Sequence, residues 1–389
     1  MTLLFTFSIT TLALSRGDAA DTDTAASRAI AAANTLQTWY NSTTGVWNTC
    51  GWWNRANCMT TLANLASLNL NDSANGVAKD VFQNTFSVAA NSNPYPARRT
   101  DGDYTSAHGR ELGEEVPTGA ANASFWLNGS YDDDAWWGLA WVAAYDATGQ
   151  SKYLDLAEGI FYHLSNSWPS KCGNGGIDSD YTHVYVSAVA NELFLSLAAQ
   201  LANRASNTKY YLDWAQRQWS WFRNSRLINE NYTINDGLTN ECMNNGGTVW
   251  TYNQGIILGG LVELDRATHN RDSSNSTYLT VARRITTGAI AALTDKEYVL
   301  HESCEENSCN ADQTQFKGVF MRNLRLLHRV APNDTYAKVV SASAQSLWTN
   351  DRADENRFGV NWSGPVDGAK VNASTQSSAV DALIAAIWV

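Results

Sequence analysis

Residues 183–204 read HVYVSAVANELFLSLAAQLANR and decide the fold class of this chain. Leu193, Leu197 and Leu201 recur every four residues within the stretch. This spacing places apolar side chains along one side of an α-helix. The same period returns along the whole chain with hardly any strand-like alternation, and the 389 residues include only six prolines. We therefore predict an all-α protein, because proline breaks helices.

Twelve segments of the sequence carry this helical pattern. Gly149 and Asn270 stand where helices are expected to end, and Ser151 and Asn333 stand near expected starts. Twelve helices joined by mostly short loops make six helical hairpins, and closing the hairpins into a ring gives an (α/α)6 barrel with a cleft at one end. The alternative is an open superhelix of stacked pairs, which the absence of a fixed-period repeat disfavours. The predicted helices are 24–40, 56–70, 77–91, 134–148, 151–167, 183–204, 208–226, 249–268, 276–294, 311–332, 335–349 and 374–388.

The first residues are typical of a secretory signal. Leu3–Leu14 is apolar but too short to span a bilayer, and small residues follow at Ala19 and Ala20. We therefore predict that residues 1–20 are a signal peptide, that residues 21–389 form a single domain, and that the protein is secreted. Nine N-x-S/T sequons agree with export, although chance supplies several and some are expected to be unused. The sequons begin at Asn41, Asn71, Asn122, Asn128, Asn231, Asn275, Asn333, Asn361 and Asn372.

The six cysteines form an even set, which fits disulfide bonding in an exported protein. Several pairings are possible in principle, and the short spacings favour two local bridges and one long-range bridge. There is no CxxC motif and the six histidines are scattered, so a zinc site is not expected. No phosphate-binding glycine loop or EF-hand pattern is present, so we expect no metal and no other cofactor. The favoured pairs are Cys50–Cys58, Cys304–Cys309 and Cys172–Cys242.

The charge balance is acidic, with a formal net charge of −11. An acidic surface repels phosphate groups, so neither nucleic acid nor an anionic membrane is expected as a partner. The apolar run Ala382–Val389 is shorter than the tail of a GPI signal and is typical of the last turns of a packed helix. We expect a soluble monomer. Sixteen tryptophans and sixteen tyrosines serve either core packing or the stacking of sugar rings, and composition alone leaves both open.

Residues 92–130 interrupt the helical pattern. The segment is polar, contains glycine and proline and is mixed in charge. A structureless loop of this length is uncommon inside a compact domain. It forms either part of a cleft wall or lid, or a passive surface excursion, and it leads directly into an acidic cluster.

The acidic cluster lies in Tyr131–Trp141, YDDDAWWGLAW. One aspartate at a helix start is explained by N-capping and by the positive end of the helix dipole. Three aspartates beside aromatic rings are not explained in this way, because adjacent like charges repel. Glycoside hydrolysis requires one protonated and one ionised carboxyl group, and two close carboxylates push their pKa values apart. Adjacent residues place their carboxyl groups roughly 5 Å apart, near the separation found in retaining enzymes.

Four further stretches accompany the acidic segment: Ala190–Leu195 (ANELFL), Trp250–Gly255 (WTYNQG), Gln315–Arg322 (QFKGVFMR) and Phe358–Pro365 (FGVNWSGP). Together the five stretches resemble glycoside hydrolase family 76, the endo-acting α-1,6-mannanases and their fungal cell-wall relatives. The resemblance covers residues 130–365, which is most of the chain. It implies an (α/α)6 fold, in agreement with the helix count, and a retaining mechanism without a metal.

The resemblance also implies roles for the acidic residues. Asp132 is expected to be the nucleophile and Asp133 the acid/base, while Asp134 occupies a variable position with N-capping as its expected role. A register shift to Asp133 and Asp134 stays open because the three aspartates are consecutive.

The sequence departs from the family pattern at residues 175–181, GGIDSDY, where relatives carry paired tryptophans. Acidic residues in place of an aromatic platform are expected to alter a sugar subsite. Other polar and aromatic residues near helix starts are candidates for sugar contacts, with capping, core packing or solvation as open alternatives. The predicted substrate-binding residues are Tyr131, Trp136, Trp137, Asp178, Asp180, Tyr252, Asn253, Gln254 and Lys317, and weaker candidates are Asp312, Gln313, Phe316 and Arg322.

Three functions are compatible with these patterns. The favoured one is a secreted retaining endo-α-1,6-mannanase, with residues 21–389 as its catalytic domain and an α-mannan polysaccharide or oligosaccharide as its partner. The second is a cell-wall transglycosidase that passes the same glycosyl-enzyme intermediate to a sugar hydroxyl. The third is a non-catalytic glycan-binding or wall-structural protein, against which the aspartate pair among aromatic residues argues.

Overall fold

The computed structural model describes residues 24–70, 72–96, 119–268, 276–306 and 308–389. The predicted signal peptide, the middle of the predicted 92–130 loop and two of the sequon asparagines lie outside these ranges. Within them, no helix has the length and apolar character needed to cross a membrane.

The described residues contain thirteen α-helices. Twelve of them correspond one for one to the predicted helices, with ends that differ by up to five residues, and the short α4 was not predicted. The helices are α1 (Ala25–Gln37), α2 (Trp52–Ala66), α3 (Asp72–Val88), α4 (Ala120–Ala123), α5 (Tyr131–Thr148), α6 (Ser151–Ser165), α7 (Ala188–Ala202), α8 (Thr208–Asn224), α9 (Thr251–Ala267), α10 (Thr277–Leu293), α11 (Phe316–Val330), α12 (Asp334–Asn350) and α13 (Ala373–Ala385).

Six of the long helices form a closed inner ring. In ring order they are α2, α5, α7, α9, α11 and α13, and α13 closes the ring against α2. The other six long helices alternate with them along the chain and lie outside, so that α6 packs on α5, α8 on α7 and α10 on α9. Because the ring closes, the fold is the predicted all-α (α/α)6 barrel and not an open superhelix.

Inner and outer helices differ in how much of their surface is buried. On the inner helix α7, every residue except Gln200 is buried. On the outer helix α8, burial is confined to one face, which includes Tyr211, Trp214 and Phe222. The amphipathic period is therefore clear on outer helices. Inner helices are buried over more of their surface, because neighbours surround them in the ring, and every residue of α13 is buried even though nearly half of that helix is polar.

Glycine allows two pairs of inner helices to approach closely. A Cβ at Gly255 of α9 would lie 2.5 Å from the Cα of Phe320 on α11. A Cβ at Gly318 of α11 would lie 2.5 Å from the Cα of Ser378 on α13. Both distances are shorter than a Cβ tolerates against backbone, so these helices pack at a separation that a larger residue would prevent.

Three short antiparallel strand pairs lie in the loops between the helices. Two of them are local hairpins, whereas β3 and β4 are separated in the chain by α7 and α8. Each strand has only two residues, which explains why the sequence carries hardly any strand signal. The pair β3–β4 matters most for the site, because the backbone N–H of Ala188, at the start of α7, donates to the carbonyl of Asp236 at 2.8 Å. The pairs are β1 (Tyr40–Asn41) with β2 (Val46–Trp47), β3 (Val186–Ser187) with β4 (Gly237–Leu238), and β5 (Arg352–Ala353) with β6 (Arg357–Phe358).

Two of the three predicted disulfides are present, Cys172–Cys242 and Cys304–Cys309. The third is a correction, because Cys50 and Cys58 are free thiols in this structure. Cys58 is fully buried on α2, and its pKa is raised by burial and by the neighbouring thiol of Cys50. The two thiols are thus close to each other, as their spacing predicted, without being bonded.

Candidate active site

A cavity of about 750 Å³ opens at the N-terminal ends of the inner helices α2, α5, α9 and α11. Helix N-termini carry the positive ends of the helix dipoles, and carboxylates are favoured there. Four aspartates line the cavity, two from α5 and two from loops that precede α9 and α11. Its lining includes Asp132, Asp133, Asp236, Asp312 and the rings of Trp53, Tyr95, Trp136, Trp250, Tyr252 and Phe316.

The three consecutive aspartates point in different directions. Helix α5 begins at Tyr131, so all three lie in its first turn. Asp132 and Asp133 line the cavity. Asp134 is buried, and its Oδ1 accepts a hydrogen bond from the backbone N–H of Asn128 at 2.9 Å. The helix thus presents one adjacent carboxyl pair to the cavity and uses the third carboxyl to hold the preceding loop.

The carboxyl groups of the pair have different partners. Asp132 Oδ1 accepts the backbone N–H of Asp133 at 2.9 Å. Asp133 Oδ2 accepts the side-chain amide of Asn128 at 2.7 Å. Each group therefore keeps one oxygen engaged with the protein.

Both carboxyl groups are held above their ordinary pKa. Burial raises the pKa of Asp132 to about 6, against the lowering effect of backbone N–H groups, and the charges of Asp312 and Asp180 raise it further. Burial and then the charge of Asp132 raise the pKa of Asp133 well above its usual value, and the bond from Asn128 lowers it. The pair therefore retains a proton at a pH where two separate aspartates would both be ionised.

The other two carboxylates are anchored by tryptophan. Asp236 Oδ1 accepts Trp250 Nε1–H at 3.1 Å, and its Oδ2 accepts the hydroxyl of Tyr185 at 2.6 Å. Asp312 Oδ1 accepts Trp53 Nε1–H at 2.8 Å. Asp312 was among the weaker predicted candidates, whereas Asp236 was missed because an Asn-Asp-Gly sequence is typical of an ordinary turn.

Aromatic rings form the walls of the cavity. The rings of Tyr252 and Phe316 are stacked, with centroids 3.7 Å apart and planes within 5°. Trp53 and Trp136 stack at 5.6 Å. Flat aromatic faces beside carboxylates suit a sugar ring, whose C–H face is apolar while its rim carries hydroxyl groups.

A sequence model of glycosyl hydrolase family 76 matches residues 21–388, which includes every element that lines the cavity. The chain belongs to glycosyl hydrolase family 76. This agrees with the resemblance noted from the sequence motifs.

Among curated family 76 relatives, a putative mannan endo-1,6-α-mannosidase of Schizosaccharomyces pombe is 30% identical over 232 residues, which are 55% of this chain and 51% of the relative. The chain thus spans about half the length of the curated relatives it matches.

The fold is shared with solved family 76 structures. The α-1,6-mannanase of Salegentibacter sp. HEL1_6 superposes with a TM-score of 0.74 at 19% identity, covering 93% of this chain and 98% of the mannanase. An inactive variant of that mannanase, with two consecutive aspartates changed to asparagine, is known in complex with α-1,6-mannotriose and has a TM-score of 0.72 at 18% identity, covering 93% and 99% of the two chains.

The structure brings some of the predicted substrate-binding residues of this family 76 protein to the cavity. Trp136 and Tyr252 line it, as do the weaker candidates Asp312, Gln313 and Phe316. Asp180 lies close enough for its charge to raise the pKa of Asp132. The cavity-lining residues Trp53, Tyr95 and Trp250 were not predicted. Of these, Trp250 is the first residue of the WTYNQG motif, so its position near a predicted helix start was the available signal.

Other predicted substrate contacts are absent from the cavity lining. Tyr131 and Trp137 are buried, and Trp137 packs in a tryptophan cluster with Trp52, Trp126 and Trp141. These rings fill the space between helices, so they serve the core.

Three predicted polar contacts are also absent from the lining of this cavity. Gln254 is buried, and its amide bonds to the backbone of Ile234 and Trp250. Lys317 is buried, pairs with Glu305 and lies 4.3 Å from the ring centre of Trp362. Arg322, a weaker candidate, is buried inside the barrel. All three side chains satisfy their polar groups within the protein.

Asp178 is likewise buried, and its Oδ2 lies 3.0 Å from Nδ1 of His183. Asn253 is fully buried, and neither end of its amide has a hydrogen-bond partner among the described residues. Asn191 on α7 forms structural hydrogen bonds to the backbone of Ile177 and Ser187. Glu192 beside it does not, because both of its carboxyl oxygens lack a partner among the described residues.

The described ends of the 92–130 segment reach the cavity, since Pro94, Tyr95 and Ser130 line it. The predicted lid itself falls in the part of the segment outside the described residues. No group of three or more His, Cys, Asp or Glu side chains is placed to hold a metal ion in the described part of the chain.

Proposed function

We propose that this protein is a secreted, endo-acting α-1,6-mannan hydrolase that retains anomeric configuration, with Asp132 as nucleophile and Asp133 as acid/base. The observation that carries the proposal is the adjacent carboxyl pair, which faces a sugar-sized aromatic cavity with both members held above their ordinary pKa. Repulsion within such a pair keeps one carboxyl group protonated while the other is ionised, which supports an acid and a nucleophile at these two positions.

The first chemical step breaks the glycosidic bond. The carboxylate of Asp132 attacks the anomeric carbon while protonated Asp133 gives its proton to the glycosidic oxygen. The C–O bond to the leaving sugar breaks, and an ester forms between Asp132 and the retained sugar.

The second step releases the retained sugar. Asp133, now ionised, takes a proton from water, and the water oxygen attacks the anomeric carbon. The ester bond breaks, Asp132 leaves as carboxylate, and Asp133 is protonated again. Two inversions at the same carbon give net retention.

The remaining cavity residues support binding of a sugar chain. Asp236 and Asp312 are held by Trp250 and Trp53, respectively, and offer oxygens to sugar hydroxyls. The stacked rings of Tyr252 and Phe316 offer apolar contact. The substrate class is supported by the relatives of this chain, which include a putative mannan endo-1,6-α-mannosidase and an α-1,6-mannanase.

Secretion of a monomer is part of the proposal. The two disulfides and the sequons support an oxidising, glycosylating compartment. Among the sequons, Asn231 is exposed and accessible, whereas Asn128 is buried.

The test is a set of isosteric variants assayed on linear α-1,6-mannooligosaccharides. Asp132→Asn and Asp133→Asn are each expected to lower kcat by at least about 10³-fold, because each removes one half of the acid and nucleophile pair. Asp134→Asn is the matched control and is expected to keep activity, since an amide oxygen still accepts the Asn128 N–H. Circular dichroism checks that all three fold.

Each alternative gives a different result in this assay. Loss of activity in Asp134→Asn with activity kept in Asp132→Asn would assign the catalytic roles to Asp133 and Asp134 instead. Products longer than the substrate would identify a transglycosidase, and an initial β-anomer seen by proton NMR would contradict retention. No turnover by the wild-type protein would leave only the glycan-binding function.

A further inference from the structure

Asn128 precedes α5 by three residues and bonds to the acid pair through a buried amide. Its side chain is 3% exposed. Its Nδ2 donates to Asp133 Oδ2 at 2.7 Å, and its Oδ1 accepts the backbone N–H of Ser130 at 2.9 Å. Its own backbone N–H donates to Asp134 Oδ1 at 2.9 Å. The residue is therefore fixed at both ends of its amide and at its backbone.

These bonds determine which way the amide faces. A backbone N–H only donates, so the atom of Asn128 that faces Ser130 must be the oxygen. The nitrogen then faces Asp133. Since an amide N–H₂ also only donates, Asp133 Oδ2 must be the acceptor in every protonation state of that carboxyl group.

The consequence for Asp133 is a preferred position for its proton. A carboxylic acid carries one proton on one of two oxygens. A carbonyl oxygen accepts a hydrogen bond better than a protonated oxygen does, so the donor on Oδ2 favours the proton on Oδ1, on the side of the carboxyl group that Asn128 does not cover.

We propose that Asn128 is a positioning residue that orients the acid/base, keeping the acidic proton of Asp133 on Oδ1 and so available to the glycosidic oxygen. The proposal rests on the function proposed for Asp133. Asn128 acts through that carboxyl group and does not touch the reacting atoms itself.

This role excludes Asn128 as a glycosylation site in the folded protein. The residue begins an N-x-S/T sequon, Asn128-Gly129-Ser130. A glycan replaces one hydrogen of Nδ2, and here that nitrogen is buried against Asp133. An Asn128 that carried a glycan before folding would be unable to enter this position.

Asn128 also adjusts the pKa of the acid. Its N–H stabilises the ionised form and lowers the pKa of Asp133, while burial and the charges of Asp132 on α5 and Asp312 before α11 raise it. The cavity lining also contains Arg55, whose Nε donates to the carbonyl of Trp47. Removing the amide leaves the raising effects unopposed, so the pKa of Asp133 increases.

The experiment compares two variants on two substrates. Asn128→Leu removes both amide bonds, and Asn128→Asp keeps the size and the acceptor for Ser130 while replacing the donor to Asp133. One substrate is α-1,6-mannotetraose. The other is an aryl α-1,6-mannobioside with an acidic phenol, which departs without a proton from the enzyme. Asn231→Asp, the same change at an exposed sequon, is the control.

Both Asn128 variants are expected to lower kcat on mannotetraose by about 10- to 100-fold, because they impair but do not abolish proton donation, which as a whole contributes about 10²- to 10⁴-fold. KM and the rate of aryl-glycoside cleavage are expected to change little. The alkaline limb of the pH profile is expected to move to higher pH. Asn231→Asp is expected to match the wild type in every respect.

An equal loss on both substrates, or an unmoved alkaline limb, would overturn the proposal, since a purely structural residue gives that result. A second readout is independent of turnover. The ¹³C resonance of the Asp133 carboxyl group, assigned by its absence in Asp133→Asn, is expected to titrate at higher pH in Asn128→Leu. If this shift occurs but the wild-type protein cleaves neither substrate, the proposed function fails, while the contact between Asn128 and Asp133 stands.

Discussion

At the scale of single residues, opposing effects at one helix end act on the pKa values of Asp132 and Asp133. The first turn of α5 supplies the positive end of a helix dipole and backbone N–H groups, which favour ionised carboxyl groups. Burial in the cavity and two further aspartates disfavour the ionised forms. Since each carboxyl also raises the pKa of the other, the pair keeps one proton over a range of pH, as an acid and nucleophile require.

The rate is therefore expected to depend on pH through this pair. Below about pH 6 Asp132 becomes protonated and ceases to be a nucleophile, so kcat/KM falls on the acid side. On the alkaline side the rate falls where Asp133 loses its proton, well above the ordinary range of an aspartate. Asp312→Asn removes a charge that raises both pKa values yet keeps an acceptor for Trp53. Both limbs should then move to lower pH by about half to one unit.

The measurement is kcat/KM on an α-1,6-mannooligosaccharide across the pH range, with Asp354→Asn as control. Asp354 is exposed on the turn between β5 and β6, so its loss is expected to leave both limbs in place. An acid limb that stays fixed in Asp312→Asn would show that Asp312 does not act on Asp132.

At the scale of elements, the sequence predicts the helices better than their ends. Outer helices have one apolar face, and their period is visible directly. The predicted start of α5 is Asp134. In the structure the helix begins three residues earlier, at Tyr131, and Ser130 is its N-cap. This shift matters, because it moves all three aspartates into the first turn and lets Asp132 and Asp133 reach the cavity.

The packing of α9 against α11 yields a prediction for this pair of helices. Gly255→Ala places a methyl group against the backbone of Phe320, where no flexible side chain is able to move aside. A loss of about 1–3 kcal/mol in the free energy of unfolding is expected. Since α9 carries Tyr252 and α11 begins at Phe316, separating them should also weaken substrate binding and raise KM.

Gly76→Ala is the matched control, on the exposed side of the outer helix α3. No heavy atom lies within 4 Å of the position that a Cβ would take there, so the change is expected to stabilise the protein by about 0.5–1 kcal/mol. Denaturant unfolding followed by circular dichroism measures both. A Gly255→Ala protein as stable as the wild type would mean that the two helices do not require this close approach.

At the scale of the whole molecule, the active site is assembled from segments that are far apart in the chain. Closing the ring brings the starts of α2, α5, α9 and α11 to one cavity. No local pattern indicates Asp236, whose position depends on the pairing of β3 with β4. The place of Lys317 outside the cavity lining is hidden in the sequence for the same reason, because its partners Glu305 and Trp362 come from loops outside its helix. The sequence therefore predicts the proposed catalytic pair, which is local, and only part of the surrounding cavity lining, which is not.

Removing each disulfide separately measures how much that bridge contributes to the stability of the barrel. Cys172 and Cys242 are 70 residues apart, and the bridge ties the loop after α6 to the segment that follows Asp236 and β4. Cys304 and Cys309 are five residues apart. Closing a longer loop restricts the unfolded chain more, so Cys172→Ala/Cys242→Ala is expected to cost about 4 kcal/mol and Cys304→Ala/Cys309→Ala about 2 kcal/mol. Equilibrium unfolding in urea, with both variants purified under oxidising conditions, gives the comparison. A larger loss from the short bridge would mean that native contacts of the 304–309 loop, and not restriction of the unfolded chain, set the contribution of these bridges.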